Sequence, residues 1–79
     1  MGINYDIKKH IAILSSRIDR NNRIQNTELN LIAWNGHEPR FDIREWREDH
    51  GQCSYGVQLN ADEMENLVNG FQDYKRQVK

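Results

Sequence analysis

The sequence predicts an α+β fold in which a four-stranded antiparallel meander precedes one C-terminal helix (β-β-β-β-α). It also predicts that the chain forms a homodimer. Two patterns carry this prediction: segments in which apolar and polar residues alternate, and a last segment with apolar residues every three or four positions. The chain has 79 residues and forms one domain, spanning 1–79. So small a domain buries only about 60% of its unfolded surface, and a second subunit would supply further burial.

The first predicted strand is HIAILSSRI, at 10–18, and its centre is apolar on both faces. Strands that are covered on both sides have this composition, which favours a dimer contact here. The polar stretch 19–27 that follows is rich in Asn and Arg. It is interpreted either as a long basic hairpin loop or as a strand extension.

The second and third predicted strands are ELNLIAW, at 28–34, and RFDIREW, at 40–46. Between them Asn35-Gly36 is a strong turn signal. The side chains expected to face inward from the second strand are Leu29, Leu31 and Ala33. Those expected to face outward are Asn30, Ile32 and Trp34.

The alternation in RFDIREW separates two different faces. Phe41 and Ile43 form an apolar face that is expected to lie inward. The opposite face, expected to be open to solvent, carries Arg40, Asp42, Arg44 and Trp46. Because a large apolar ring is seldom left in water without a reason, this open face is interpreted as a binding platform.

The fourth predicted strand is SYGVQLN, at 54–60, with Tyr55, Val57 and Leu59 inward. The residues after Asn60 have helical spacing, and Glu63 completes a capping box with Asn60. The apolar stripe of this helix, expected to be a core face, consists of Met64, Leu67, Val68, Phe71 and Tyr74.

Charge is separated along the chain, although its net charge is only −1. Residues 7–47 contain eight basic and five acidic residues, whereas 48–65 contain five acidic residues and no Lys or Arg. Local fields of this kind matter more for binding a polyanion than the total charge does. An ordinary solvated surface is the competing interpretation.

The sequence contains no convincing catalytic or metal-binding set, and we expect neither an enzyme nor a cofactor. His50 and Cys53 form an isolated H-x-x-C without a second pair of ligands. The single cysteine indicates a reducing compartment, which predicts a cytoplasmic protein. The longest strongly apolar run is far shorter than the roughly 20 residues that span a bilayer. We therefore expect no membrane partner, and no small-molecule substrate is implied.

Two runs of residues resemble a known family. The run Asp42-Ile43-Arg44-Glu45-Trp46 is followed by Gly56-Val57-Gln58-Leu59 and then by the capped helix. In this order they resemble the transcriptional coactivator family of positive cofactor four, most closely its small bacterial YdbC-like members. The resemblance covers roughly residues 5–74, nearly the whole chain.

The resemblance implies a homodimer that binds single-stranded DNA with little sequence preference. It implies a nucleoid-associated role in transcription regulation, or in replication and repair, and it leaves binding to RNA open. Arg44 matches the DNA-contacting arginine of the family, and Trp34 matches an aromatic residue beside a turn. The candidate nucleic-acid-binding residues are Lys8, Lys9, Arg17, Arg20, Arg23, Trp34, Arg40, Arg44, Trp46 and Arg47.

Alternatives for the site and for the function stay open at this point. Trp34 and Trp46 either stack on bases or pack at the dimer interface. Arg44 either contacts phosphate or pairs with Asp42 or Glu45. The alternative function is a protein–protein interaction module whose open sheet face or helix docks a partner.

Overall fold

The computed structural model describes residues 4–78, which form one antiparallel sheet followed by one helix. The elements are β1 (Tyr5–Ile18), β2 (Ile24–Trp34), β3 (Arg40–Arg47), β4 (Val57–Leu59) and α1 (Ala61–Gln77). The strands lie side by side in chain order, β1-β2-β3-β4, and each pairs antiparallel with the next. The predicted β-β-β-β-α fold class is therefore confirmed.

A short turn joins β1 to β2. The Asp19 carboxylate accepts hydrogen bonds from the backbone N–H groups of Asn21 and Arg23, at 2.9 and 3.0 Å. Asn22 adopts a φ of 63°, in the left-handed region that Asn tolerates well. Residues 24–27 belong to β2 and residues 19–23 form the turn, so the polar stretch is part loop and part strand extension.

The predicted turn at Asn35-Gly36 is confirmed. Asn35 and Gly36 have φ angles of 52° and 77°, and the His37 N–H donates to the carbonyl oxygen of Trp34 at 2.9 Å. Two successive residues with positive φ match the right-handed twist of paired strands, which is why Asn-Gly is favoured there.

β1 is an irregular edge strand. Its pairing with β2 shifts register at three places, between Ile7 and Lys9, between His10 and Ala12, and between Ile13 and Ser15. Each extra residue bends the strand and increases its twist. The apolar side chains at its centre are exposed, Ile13 by 53% and Leu14 by 54%, so the chain does not itself cover β1 on both sides.

The sequence-based expectation of which sheet face is buried is wrong for several side chains. Asn30 and Ile32, which were expected to face outward, are fully buried, and Trp46 is 1% exposed. Leu29 and Leu31, which were expected to lie inward, are only half-buried. The face of β3 that carries Trp46 is thus not open to solvent as a whole.

The difference arises from the segments that cover each face. Tyr5 at the start of β1 and His50 in the loop after β3 lie against the Trp46 ring. Within residues 4–78, α1 lies beside the opposite face, where Met64 and Val68 line an open depression together with Phe41. Sheet periodicity identifies which side chains share a face, but not which face other segments cover.

β4 is shorter than predicted, and Tyr55 lies outside it. Tyr55, expected inward, is fully exposed, and Val57 is about half exposed. The pairing of β4 with β3 is limited to three residue pairs, from Phe41↔Leu59 to Ile43↔Val57.

α1 begins as the sequence predicts. The Asn60 side chain accepts from the Glu63 N–H, and the Glu63 carboxylate accepts from the Asn60 N–H, both at 2.8 Å. None of the α1 residues, all of which are described, is buried. The predicted apolar stripe is therefore correct in its spacing but does not form a core face within the chain. Within 4–78, no helix is long and apolar enough to cross a membrane.

Candidate nucleic-acid interface

The candidate interface lies on one side of the sheet, which we call the polar face. Strand register brings its side chains together, because Glu28 lies opposite Arg44 and Asn30 lies opposite Asp42. The polar face consists of Tyr5, His10, Glu28, Asn30, Trp34, Arg40, Asp42, Arg44 and Trp46, together with His50 from the loop after β3 and Gln58 from β4.

Arg44 is held by a fully buried carboxylate. Its Nε and second guanidinium nitrogen donate to the two oxygens of Asp42, at 2.6 and 2.7 Å. Burial favours a lower pKa for Arg44, but the hydrogen bonds and charge of Asp42 outweigh it and raise the pKa above its ordinary value. Of the alternatives for Arg44, pairing with Asp42 is the one found in the chain.

Trp34 belongs to the same unit. Its Nε1–H donates to Asp42 at 3.0 Å, and the Arg44 guanidinium lies 4.5 Å from the centre of its ring. A cation over an indole face is attracted by the π electrons of the ring. One carboxylate thus orients both an arginine and a tryptophan.

Gly56 permits this arrangement. A Cβ atom at Gly56 would lie 2.5 Å from the Cβ of Arg44 and 2.5 Å from the carbonyl oxygen of Ile43. Only a residue without a side chain lets the segment before β4 pass so close to β3. This segment contacts Arg44 directly, since the carbonyl oxygen of Ser54 accepts from the guanidinium at 3.3 Å.

Trp46 lies in an aromatic cluster. Its ring centre is 5.3 Å from that of Tyr5, 6.4 Å from that of Trp34 and 5.2 Å from that of His50. Within the described part of the chain, its buried Nε1–H has no hydrogen-bond partner. An unsatisfied buried donor costs about 1–3 kcal/mol, so this packing is achieved at a penalty.

Glu28 is a second buried carboxylate on the polar face. One of its oxygens accepts from Asn30 Nδ2 and lies 3.0 Å from His50 Nε2. The same oxygen is 3.6 Å from His10 Nδ1, which also contacts Asn30 Oδ1 at 2.7 Å. Glu28 therefore links β1, β2 and the loop after β3.

The ten candidate residues do not form one continuous surface. On the polar face, Trp46 is enclosed, Arg44 is paired with Asp42, and Trp34 is half-buried. Arg17 projects from the opposite face and pairs with Glu45 at 2.7 Å, an ion pair that raises the pKa of Arg17 and lowers that of Glu45.

The remaining basic candidates lie on the surface of the sheet or in its turns. Lys8 pairs with Asp6, and the hydrogen bond that Arg47 donates to Asp49 raises the pKa of Arg47. Among residues 4–78, four further basic candidates have no acidic group within ion-pairing distance. These four are Lys9, Arg20, Arg23 and Arg40.

An open depression of about 730 Å³ lies at the hairpin end of the polar face. Trp34, Arg40 and Gln58 line it, with Ile32 at the sheet and Glu38 in the hairpin. It combines a half-buried aromatic ring, a free cation and an amide, which suits a planar polar group attached to an anionic chain.

Sequence reasoning missed Tyr5, His10, Glu28 and His50. No local pattern could have found them, because they come from separate segments: pairing with β2 brings in Tyr5 and His10, and the loop after β3 brings in His50. Tyr5 reaches the site through its hydroxyl, which donates to the His50 carbonyl oxygen at 3.1 Å.

Comparisons with protein-family models and with curated proteins find no match to this chain. Among the described residues, no group of three or more His, Cys, Asp or Glu side chains is arranged to hold a metal ion. The polar face is therefore interpreted from its own geometry.

Proposed function

We propose that this protein is a homodimeric single-stranded nucleic-acid-binding protein with little sequence preference and no enzymatic activity. The observation that supports it most is the depression beside Trp34, where the Arg40 guanidinium is exposed and has no acidic partner among the described residues. Binders of single strands combine such cations with aromatic rings on which bases stack, each stack contributing about 1–3 kcal/mol. The likeness to positive cofactor four proteins in sequence supports the same function, in the cytoplasm.

Three further basic groups lie away from the depression, two of them at the opposite end of the sheet. Arg20 and Arg23 lie in the turn at the tip of the β1–β2 hairpin and Lys9 lies on β1, all exposed. Each lacks an acidic partner in 4–78, so each is available to neutralise a phosphate. We assign Arg44 the supporting role of holding Trp34 in place, because its charge is already matched by Asp42.

The homodimer is supported by apolar surface that the chain leaves uncovered. Leu67, Phe71 and Tyr74 of α1 are 48%, 58% and 59% exposed. Contiguous apolar surface of this kind marks an interaction site, and α1 of a second copy would offer the same stripe in return.

The test is binding of labelled oligo-dT, measured by fluorescence anisotropy at several salt concentrations. Arg40→Gln should weaken binding and reduce the slope of log affinity against log salt by about 0.7, the value for one lost contact to a single-strand phosphate. Arg76→Gln is the matched control, because it removes the same charge from the end of α1, where Arg76 pairs with Asp73. Equal effects of the two variants would reject the depression as the binding site.

The exposed stripe on α1 also favours the second candidate function, a module that docks a different protein. The two functions differ in their dependence on salt. Affinity based on phosphate neutralisation falls steeply with salt, whereas an apolar contact is little affected. Parallel titrations with oligo-dT and oligo-rU would show whether DNA or RNA is preferred.

A further inference from the structure

Tyr55 is the most exposed large apolar or aromatic side chain among residues 4–78. It lies between β3 and β4 and is as exposed as in an extended peptide, at 101%. Isolated exposed apolar side chains are common on protein surfaces. What sets Tyr55 apart is that the backbone on both sides of it is fixed to β3.

Ser54, which precedes Tyr55, is bound to Glu45 of β3 through both its backbone and its side chain. The Ser54 N–H donates to the Glu45 carbonyl oxygen at 2.9 Å, and the Glu45 N–H donates to the Ser54 hydroxyl oxygen at 3.1 Å. That hydroxyl donates in turn to the carbonyl oxygen of Tyr55 at 2.8 Å. On the other side, Gly56 packs closely against Arg44, where a side chain would not fit. Because this backbone is already anchored, little conformational entropy is lost when a ligand binds the ring.

Tyr55 is also connected to the depression beside Trp34. The Arg44 guanidinium donates to the Ser54 carbonyl oxygen at 3.3 Å and lies 4.5 Å from the centre of the Trp34 ring. Trp34 lines the depression, and so does Gln58, three residues beyond Tyr55. The Tyr55 ring therefore projects from the segment that leads into the depression.

The surroundings of Tyr55 suit a nucleic-acid base better than a protein. No charged residue occurs in 51–61, so this stretch contains no carboxylate that would repel a phosphate. The only other large apolar side chain exposed in 52–57 is Val57. A protein contact needs contiguous apolar surface, such as the stripe on α1, whereas a base needs only one exposed ring.

We propose that Tyr55 is a second stacking residue of the single-strand site, on which one base rests while a neighbouring nucleotide occupies the depression beside Trp34. This inference rests on the proposed function, because it requires that a single strand be bound. An aromatic ring stacks on any base, so Tyr55 adds affinity without sequence preference. Its contribution depends little on salt, in contrast to that of Arg40, since stacking neutralises no phosphate.

The test compares two substitutions at Tyr55 in the binding of labelled oligo-dT, measured by fluorescence anisotropy. Tyr55→Leu keeps an apolar side chain but removes the ring, and it should weaken binding by about fivefold or more, the lower end of the range for one lost stack. The slope of log affinity against log salt should stay as in the parent, whereas Arg40→Gln reduces it. Tyr55→Phe retains the ring and should bind within about twofold of the parent.

A direct contact is detected by photo-cross-linking to oligo-dT that carries one iodouracil base, with the cross-linked residue identified by mass spectrometry. The cross-link should map to Tyr55 and should be lost from this position in Tyr55→Leu. If the parent binds oligo-dT and Tyr55→Leu binds it equally well, the stacking role is wrong and the proposed function stands. If the parent does not bind oligo-dT at low salt, the proposed function is wrong and this inference with it. Dissociation of a parent dimer by Tyr55→Leu, seen in sedimentation velocity, would place Tyr55 at a contact between copies and would also overturn the stacking role.

Discussion

The polar face and helix α1 differ in how completely the single chain satisfies their side chains. The buried Asp42 and Glu28 carboxylates accept hydrogen bonds from neighbouring side chains, whereas Leu67 and Phe71 on α1 are about half exposed. Residues 4–78 bury four polar side chains and only three apolar ones. A self-contained domain does the reverse. Apart from the Trp46 Nε1–H, the buried polar groups of this face are satisfied within one chain, whereas α1 carries apolar side chains that residues 4–78 do not cover.

The largest loss of folding stability should come from removing a buried charge on the polar face. Asp42→Asn removes the charge that balances Arg44 while the Arg44 side chain stays 11% exposed, and breaking one side of a buried ion pair typically costs 3–5 kcal/mol. Urea unfolding should show a loss of about that size. Asp73→Asn breaks the exposed pair with Arg76 on α1 and should have little effect. Similar losses in the two variants would mean that the buried network does not stabilise the fold.

The next largest effect should be on dimer formation and not on folding. Phe71→Asp places a charge in the exposed stripe of α1 and should weaken the homodimer about a hundredfold, which corresponds to about 2.7 kcal/mol. Sedimentation velocity across a range of concentrations measures it. Asn66→Asp adds the same charge about 140° around the helix axis from Phe71 and should leave the proposed dimer intact. If the parent protein sediments as a folded monomer at all concentrations, the stripe is not a homodimer contact.

Replacing Gly56 or Gly70 by alanine should change the stability of the protein in opposite directions. Gly56→Ala would bring a Cβ to 2.5 Å from Arg44 and Ile43, and overpacking of this kind costs about 1–3 kcal/mol. Gly70 has open space around it in α1, so Gly70→Ala should stabilise the protein by about 0.5–1 kcal/mol. Thermal unfolding of both variants provides the check. A Gly56→Ala protein as stable as the parent would show that Arg44 is not held tightly by the segment before β4.

The smallest effect should be a pH dependence of stability from two carboxylates, Asp19 in the β1–β2 turn and Glu45 on β3. Hydrogen bonds from Gln25 and the Arg23 backbone lower the pKa of Asp19, and Arg17 lowers the pKa of Glu45. A lowered pKa means that the contribution is present above the ordinary carboxyl range and is lost as the pH falls through the folded-state value. The urea midpoint should therefore decrease modestly below about pH 4, and less so in Glu45→Gln. An unchanged acid dependence in that variant would contradict the contribution of Glu45.

The sequence was sufficient for the features that depend on neighbouring residues. The Asn35-Gly36 turn, the capping box of Asn60 and Glu63, and the alternation of β2 and β3 were predicted because each follows from local backbone chemistry. The grouping of Asp42, Arg44 and Trp46 on one face was also predictable, because alternate residues of a straight strand share a face.

Burial could not be predicted in the same way. Trp46 is enclosed because His50, in the loop after β3, and Tyr5, from the distant start of β1, lie against it. The bulges of β1 decide whether Tyr5 and His10 reach the polar face, and bulges leave no clear signal in the sequence. Tyr55 illustrates the opposite error, because β4 starts only at Val57 and leaves Tyr55 exposed.

The most direct test of the proposed function is a titration of the unmodified protein with labelled oligo-dT and with a duplex of equal length, at low and at moderate salt. We expect tighter binding of the single strand, with an affinity that falls steeply as salt increases. The strand should occupy the depression beside Trp34, so that tryptophan fluorescence changes as oligo-dT is added. No binding of oligo-dT at low salt, or equal binding of both nucleic acids without a fluorescence change, would contradict it.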